Sequence, residues 1–202
     1  MYKLMTVMLC VAGLACTGFA GVEPGTIELS GASSAMYSSQ TLTLEIKDVD
    51  DSEDLDVSMM TLAADGVYYF GPAGVGGTLG YMSVTLDVMG EELDLSGLMA
   101  GVTGKYVHDV NDMVSVYGVG SVGLARLNVS VDDIDETADG YFFRLGAGAK
   151  YFLTDSVSVN GSLAYQMASL SVDVEDAEVT VDASGFMLGV GVSVYLPTGG
   201  AM

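Results

Sequence analysis

From Phe186 to Leu196 every second residue is apolar: Phe186, Leu188, Val190, Val192, Val194 and Leu196 alternate with Met187, Gly189, Gly191, Ser193 and Tyr195. A period of two belongs to an extended strand, whose successive side chains point to opposite faces. This strand is greasy on one side and nearly bare on the other. Tyr141 to Leu153 repeats the pattern, with Tyr141, Phe143, Leu145, Ala147, Ala149, Tyr151 and Leu153 facing one way and Arg144 and Lys150 among those facing the other. From Val157 to Ala168 an apolar face again alternates with a face of Ser158, Asn160, Ser162 and Gln166. Eight such segments are predicted: Thr26 to Tyr37, Leu55 to Phe70, Val75 to Val88, Leu93 to Val107, Val114 to Val129, Gly140 to Leu153, Val157 to Val172 and Val179 to Leu196. They exceed the globular strand of about 5–6 residues and match the roughly 9–11 that cross a bilayer at a tilt, with extensions into water. After residue 20 no run of about 18 consecutive apolar residues supplies a membrane helix. No amphipathic helix is available to cover the apolar faces either.

The connections alternate in kind. Short turns are predicted at Gly71 to Gly74, His108 to Asp112 and Thr154 to Ser156. Between them fall four acidic clusters, around Asp48 to Asp56, Asp87 to Asp94, Asp132 to Asp139 and Asp173 to Asp182, which hold most of the 27 Asp and Glu residues. In an up-and-down meander every second connection lies at the same end, so the four clusters meet at one rim. An even strand number, with short turns at one end and longer polar loops at the other, is the pattern of an outer-membrane barrel. A formal charge of -21 with only six Lys and Arg excludes a nucleic-acid partner, because nothing could neutralise phosphates. Half of the residues are hydrophobic, which excludes disorder.

Residues 1–20 read as a cleaved signal peptide: Lys3, an apolar run from Leu4 to Leu14, and small residues at Gly18 and Ala20 before Gly21. Residues 21–202 then form one barrel domain. Both cysteines, Cys10 and Cys16, lie in the leader, so no disulfide is expected in the mature chain. Lipidation at Cys16 would want a large aliphatic residue where Gly13 stands.

Charges placed on the small or polar faces would sit in the lumen. Lys105, Arg126, Arg144 and Lys150 are assigned there, with Glu28 and Asp65 as partners, so that ion pairs fill a small barrel instead of leaving a pore. Tyr68, Tyr69, Phe70, Tyr106, Tyr117, Tyr151, Phe152 and Tyr195 cluster near the short-turn ends, as an interfacial girdle requires, although sheets favour aromatics in any case.

Several motifs resemble chemistry without its context. Gly118-x-Gly120-x-x-Gly123 spells a dinucleotide fingerprint, but inside an alternating strand with no helix after it. The only histidine, His108, falls in a short turn away from any nucleophile, so no enzyme and no catalytic residue is expected. Asp48, Asp50, Asp51 and Asp54 offer oxygen ligands for Ca2+ or Mg2+, yet Glu53 stands where a calcium loop needs Gly. The preferred reading of these acids is solvated surface charge, with loop-bound cations as the alternative and no other cofactor.

Signal peptide, eight dyad-repeat strands, alternating connections, and the run Gly146, Gly148, Lys150, Tyr151, Phe152 before a Thr154-Asp155 turn together resemble the small eight-stranded outer-membrane barrels, the opacity-type and outer-membrane-protein-A-like transmembrane domains. The resemblance covers Gly21 to Leu196. It implies an all-β, eight-stranded antiparallel up-and-down transmembrane barrel, monomeric, in the outer membrane of a Gram-negative bacterium. The implied role is envelope integrity, adhesion or surface interaction. The chain departs from the family in carrying Pro197 to Met202 after Tyr195 and Leu196, where the family often ends on an aromatic. The alternatives are a narrow porin-like channel and a soluble periplasmic ligand carrier of the lipocalin kind, which would keep its apolar faces inside.

Overall fold

A computed structural model describes residues 22–31, 35–46, 52–88, 91–131, 134–174 and 177–198. The leader therefore lies outside the described residues. Within them the chain forms strands and no helix: β1 (Thr26–Ser30), β2 (Ala35–Ile46), β3 (Ser52–Tyr69), β4 (Ala73–Val88), β5 (Glu91–Asn111), β6 (Val114–Val131), β7 (Ile134–Thr154), β8 (Val157–Val174) and β9 (Ala177–Pro197). β1 and β2 both pair with β3 on one side and β9 on the other, so they are two halves of one stave. Eight staves result, each antiparallel to both neighbours. The sheet closes on itself without an edge, as a strand must in a medium that cannot bond free backbone groups.

Two staves run well past the predicted ends at the acidic rim: β2 continues to Ile46 instead of stopping at Tyr37, and β7 begins at Ile134 instead of Gly140, whereas β4 ends at Val88 as predicted. Many of the acids assigned to long loops thus stand on paired strand ends, for example Asp94 opposite Thr85 and Asp173 opposite Glu178. The physical reason is legible in retrospect. Period-two alternation continues through the acids, as in Val172, Asp173, Val174 and Val179, Thr180, Val181, so the ladder has no cause to stop.

The other end closes tightly. The Phe70 N–H bonds to the Ala73 carbonyl across a turn where Gly71 takes φ 148°, a region that only glycine enters easily. The Asn111 side chain accepts hydrogen bonds from the Met113 and Val114 N–H groups at 2.9 and 3.0 Å, fixing the β5–β6 turn. His108 stands inside β5, opposite Val116, and not in the turn itself.

The outer wall is apolar: Leu124, Leu163, Leu188 and Val190 are among its exposed residues. Aromatic side chains mark two levels on it, Tyr68, Phe70 and Tyr151 near the turns and Tyr81, Tyr141, Tyr165 and Phe186 towards the acidic rim. Tyr69, Tyr117 and Tyr195, grouped with the girdle by sequence, instead point inwards. Adjacent strand residues cannot share a face, so Tyr68 and Tyr69 must part.

Of the three fingerprint-like glycines only Gly123 stands at a close approach. A Cβ there would strike the Ala100 carbonyl oxygen and the Cα of Gly101, its partner in β5, whereas a Cβ at Gly118 meets nothing. Gly123→Ala is expected to destabilise the folded barrel by about 1–3 kcal/mol, because backbone and not a mobile side chain must yield. Gly118→Ala should be near neutral. Urea unfolding of the two variants in lipid vesicles checks the contrast.

Candidate functional site

The lumen is filled at three levels. Towards the acidic rim, Met82, Met99, Phe142, Leu170 and small alanines form an apolar cluster. At the turn end Val22, Val67, Tyr69, Val107, Tyr117 and Tyr195 form a second. Between them lies a charged belt. Its centre is Glu28, fully buried on β1. Its Oε2 accepts from Lys150 Nζ at 2.6 Å and from the Tyr69 hydroxyl at 2.6 Å, and its Oε1 from Lys105 Nζ at 3.2 Å and the Ser193 hydroxyl at 2.9 Å. Each carboxylate oxygen is thus engaged twice, the condition under which a buried charge is tolerated.

The belt continues outwards from Glu28. Lys105 also reaches Asp65 at 3.3 Å and the Ser30 hydroxyl at 3.2 Å. Asp65 lies 3.7 Å from the Arg144 guanidinium, which donates to the Thr78 and Ser121 hydroxyls at 3.3 Å each. Lys150 donates to the Tyr195 hydroxyl at 2.9 Å, and its Nζ sits 5.1–5.9 Å from the ring centroids of Tyr117, Tyr195 and Tyr69. The rings of Tyr117 and Tyr69 lie within cation–π distance of this desolvated ammonium, whereas Tyr195 meets it through its hydroxyl. A cavity of about 60 Å³ lies against the belt, lined in part by Ser30, Asp65, Lys105, Tyr117, Arg144 and Asn160.

The structure brings together five of the six charges assigned to the lumen: Glu28, Asp65, Lys105, Arg144 and Lys150. Arg126 is a correction. It stands on the outer face of β6 between Leu124 and Asn128, 62% exposed, and forks onto Asp139 of β7 at 2.7 and 3.0 Å. At that height the inner face meets the apolar cluster, which draws Leu127 inwards, so the greasy face of the strand has changed sides. Greasiness identified the face wrongly there because the stave has left the hydrocarbon.

Of the acids suggested as cation ligands, Asp48, Asp50 and Asp51 lie outside the described residues, and Asp54 falls on β3 opposite Thr43. The hydroxyl and amide partners of the belt were not singled out from sequence. The signal was present, since Ser193, Tyr195, Ser158 and Asn160 all lie on the bare face of their strands.

Comparison with solved structures finds the same architecture. Neisserial surface protein A aligns with a TM-score of 0.59 at 14% identity, over 84% of this chain and 96% of that one. The outer membrane protein OprG from Pseudomonas aeruginosa gives 0.55 at 14% identity, over 89% and 98%. The outer membrane protein AlkL gives 0.52 at 16% identity, over 92% and 97%. Comparison with curated proteins finds no match. A family model of the outer membrane protein beta-barrel domain matches residues 7–193, nearly the whole chain. The chain therefore belongs to the outer membrane protein beta-barrel family.

Proposed function

We propose that this protein is a closed, non-catalytic barrel that anchors an acidic rim in the outer membrane of a Gram-negative bacterium, reached through the leader at residues 1–20. It serves envelope integrity or surface interaction, as a monomer surrounded by lipid. The observation that carries the reading is the filled lumen, with apolar side chains above and below a belt in which Lys105, Arg144 and Lys150 are paired with Glu28 and Asp65. Eight strands leave an interior just wide enough for such filling. A channel would need a continuous wet path, which two apolar clusters in series oppose. A ligand carrier would need the opposite distribution, whereas here Leu124 and Val190 are 73% and 64% exposed on the wall and Glu28 and Lys150 are buried inside. Ca2+ or Mg2+ would gather at the rim as counter-ions between its carboxylates and anionic lipid head groups.

The test is electrical. The refolded protein in a planar lipid bilayer is expected to pass no discrete current steps at either polarity. Steps of uniform size with anion preference would replace the anchor by the narrow channel.

A further inference from the structure

The chain ahead of the first stave turns back into the barrel. Pro24 and Gly25, the latter at φ 88°, take the central positions of a type II turn, closed by the Thr26 N–H donating to the Glu23 carbonyl at 3.2 Å. The Gly25 N–H donates to the Tyr69 carbonyl at 2.8 Å and the Thr198 N–H to the Gly25 carbonyl at 2.9 Å, which ties this hook to the ends of β3 and β9. The hook delivers Val22 into the lumen, where it is 3% exposed among Val67, Tyr69, Val107, Tyr117 and Tyr195. Val22 is the second residue of the chain that leader cleavage before Gly21 leaves.

Beside Val22 a funnel of about 710 Å³ opens at the turn end. Glu23 of the hook, Asp109 of β5, Asp112 of the β5–β6 turn and Asp155 of the β7–β8 turn converge on its wall, which among the described residues holds no basic side chain. Gly21, outside the described residues, is one Cα step of about 3.8 Å from Val22. Hydrolysis of the Ala20–Gly21 peptide bond consumes one water and leaves a carboxylate on Ala20 and an ammonium on Gly21. A cation is thus created within reach of four carboxylates, where a neutral amide nitrogen stood before.

We propose that leader cleavage sets the plug of the barrel: Val22 fills the turn-end mouth, and the α-ammonium of Gly21 docks on the carboxylates of the funnel. The inference rests on the leader reading and deepens the closed-barrel reading, because it names what closes the turn end. Val22 supplies the anchor, and the ammonium supplies the counter-charge that the converging acids lack.

N-terminal sequencing of the protein isolated from outer membranes is expected to read Gly21, Val22, Glu23; any other start overturns the leader reading and the proposal with it. With that start established, acetylation of the α-amine, read by mass spectrometry of the terminal peptide, should be about tenfold slower in the folded protein than in urea, the order expected of a charge-assisted hydrogen bond. Combining Asp109→Asn, Asp112→Asn and Asp155→Asn should remove most of this protection while mobility in cold SDS is kept. If the combined variant does not fold, raising the ionic strength of the wild type gives the same answer, since salt screens an exposed ion pair and leaves a steric shield intact. An amine acetylated at the urea rate in the folded wild type, or protection indifferent to salt and to loss of the three acids, would overturn the docking and leave the leader reading standing.

Discussion

Glu28→Gln is expected to destabilise the folded barrel by about 3–5 kcal/mol, the usual cost of removing one partner from a buried ion pair. The substitution keeps the shape of the side chain and removes only its charge. Lys105 and Lys150, 3.2 and 2.6 Å away, then face each other's field with no shared anion between them. Urea unfolding in lipid vesicles, read by mobility in cold SDS, measures the loss. Adding Lys150→Met should restore much of it, since replacing both members of a buried pair by neutral groups is far cheaper than stranding one. The double-mutant cycle then isolates the coupling. A loss below about 0.5 kcal/mol for Glu28→Gln, the level of an inert surface change, would mean that Glu28 is not the shared counter-charge.

The geometry of the belt explains why so costly an arrangement serves the fold. Glu28 belongs to the first stave, Ser193 to the last, and Lys105 and Lys150 to staves across the lumen. Their bonds span 77, 122 and 165 residues of sequence. A shift of one residue in the register of β1 would turn Glu28 to the lipid side, because successive residues alternate faces. The belt thus penalises wrong closure more than it adds net stability, and it does so at the interrupted stave, where β1 contributes only 5 residues to the ladder.

Much of this was legible from the alternation alone. The Phe186 to Leu196 pattern, repeated seven times over, gives strand number, closure and the lipid-facing side wherever the stave is in hydrocarbon. The rule failed where its physical premise lapsed. Above the membrane the outer face is free to be polar, which is why Arg126 and Leu127 exchanged sides. Acidity was equated with loop, although Val and Leu between the acids keep the ladder going to Val174 and from Ala177. The aromatic cluster was read by position along the chain when parity decides its role: Tyr68 and Tyr151 face lipid, while Tyr69, Tyr117 and Tyr195 close the lumen. No periodic signal marks the break after Ser30, which divides one predicted strand into β1 and β2.

The lipid-facing assignment carries the second large expectation, at Leu163. On β7 the outward Tyr141 and Tyr151 are ten residues apart, about 33 Å along a strand. A tilt of about 40° brings that to roughly 25 Å of height, the thickness of the apolar band of outer-membrane barrels. Ala147 lies between the two tyrosines, and Leu163 is its partner on β8, exposed on the outer wall. Leu163 therefore stands near the middle of the hydrocarbon. Leu163→Arg is expected to destabilise the folded state in vesicles by about 2–4 kcal/mol, the cost of a cation at the bilayer midplane. Ser171→Arg, on the same strand six residues beyond Tyr165, places the same charge above the upper aromatic level and should cost only about 0–1 kcal/mol. The two variants place the same charge on the same face of β8 at different depths, so urea midpoints taken side by side separate membrane burial from any general intolerance of arginine on β8. Equal, small effects at both sites would mean that the wall meets water, because a solvated surface position tolerates such a change within about 0.5 kcal/mol. A large loss confined to Leu163 fixes the height of the barrel in the bilayer and leaves the acidic strand ends standing clear of it, where a surface partner could reach them.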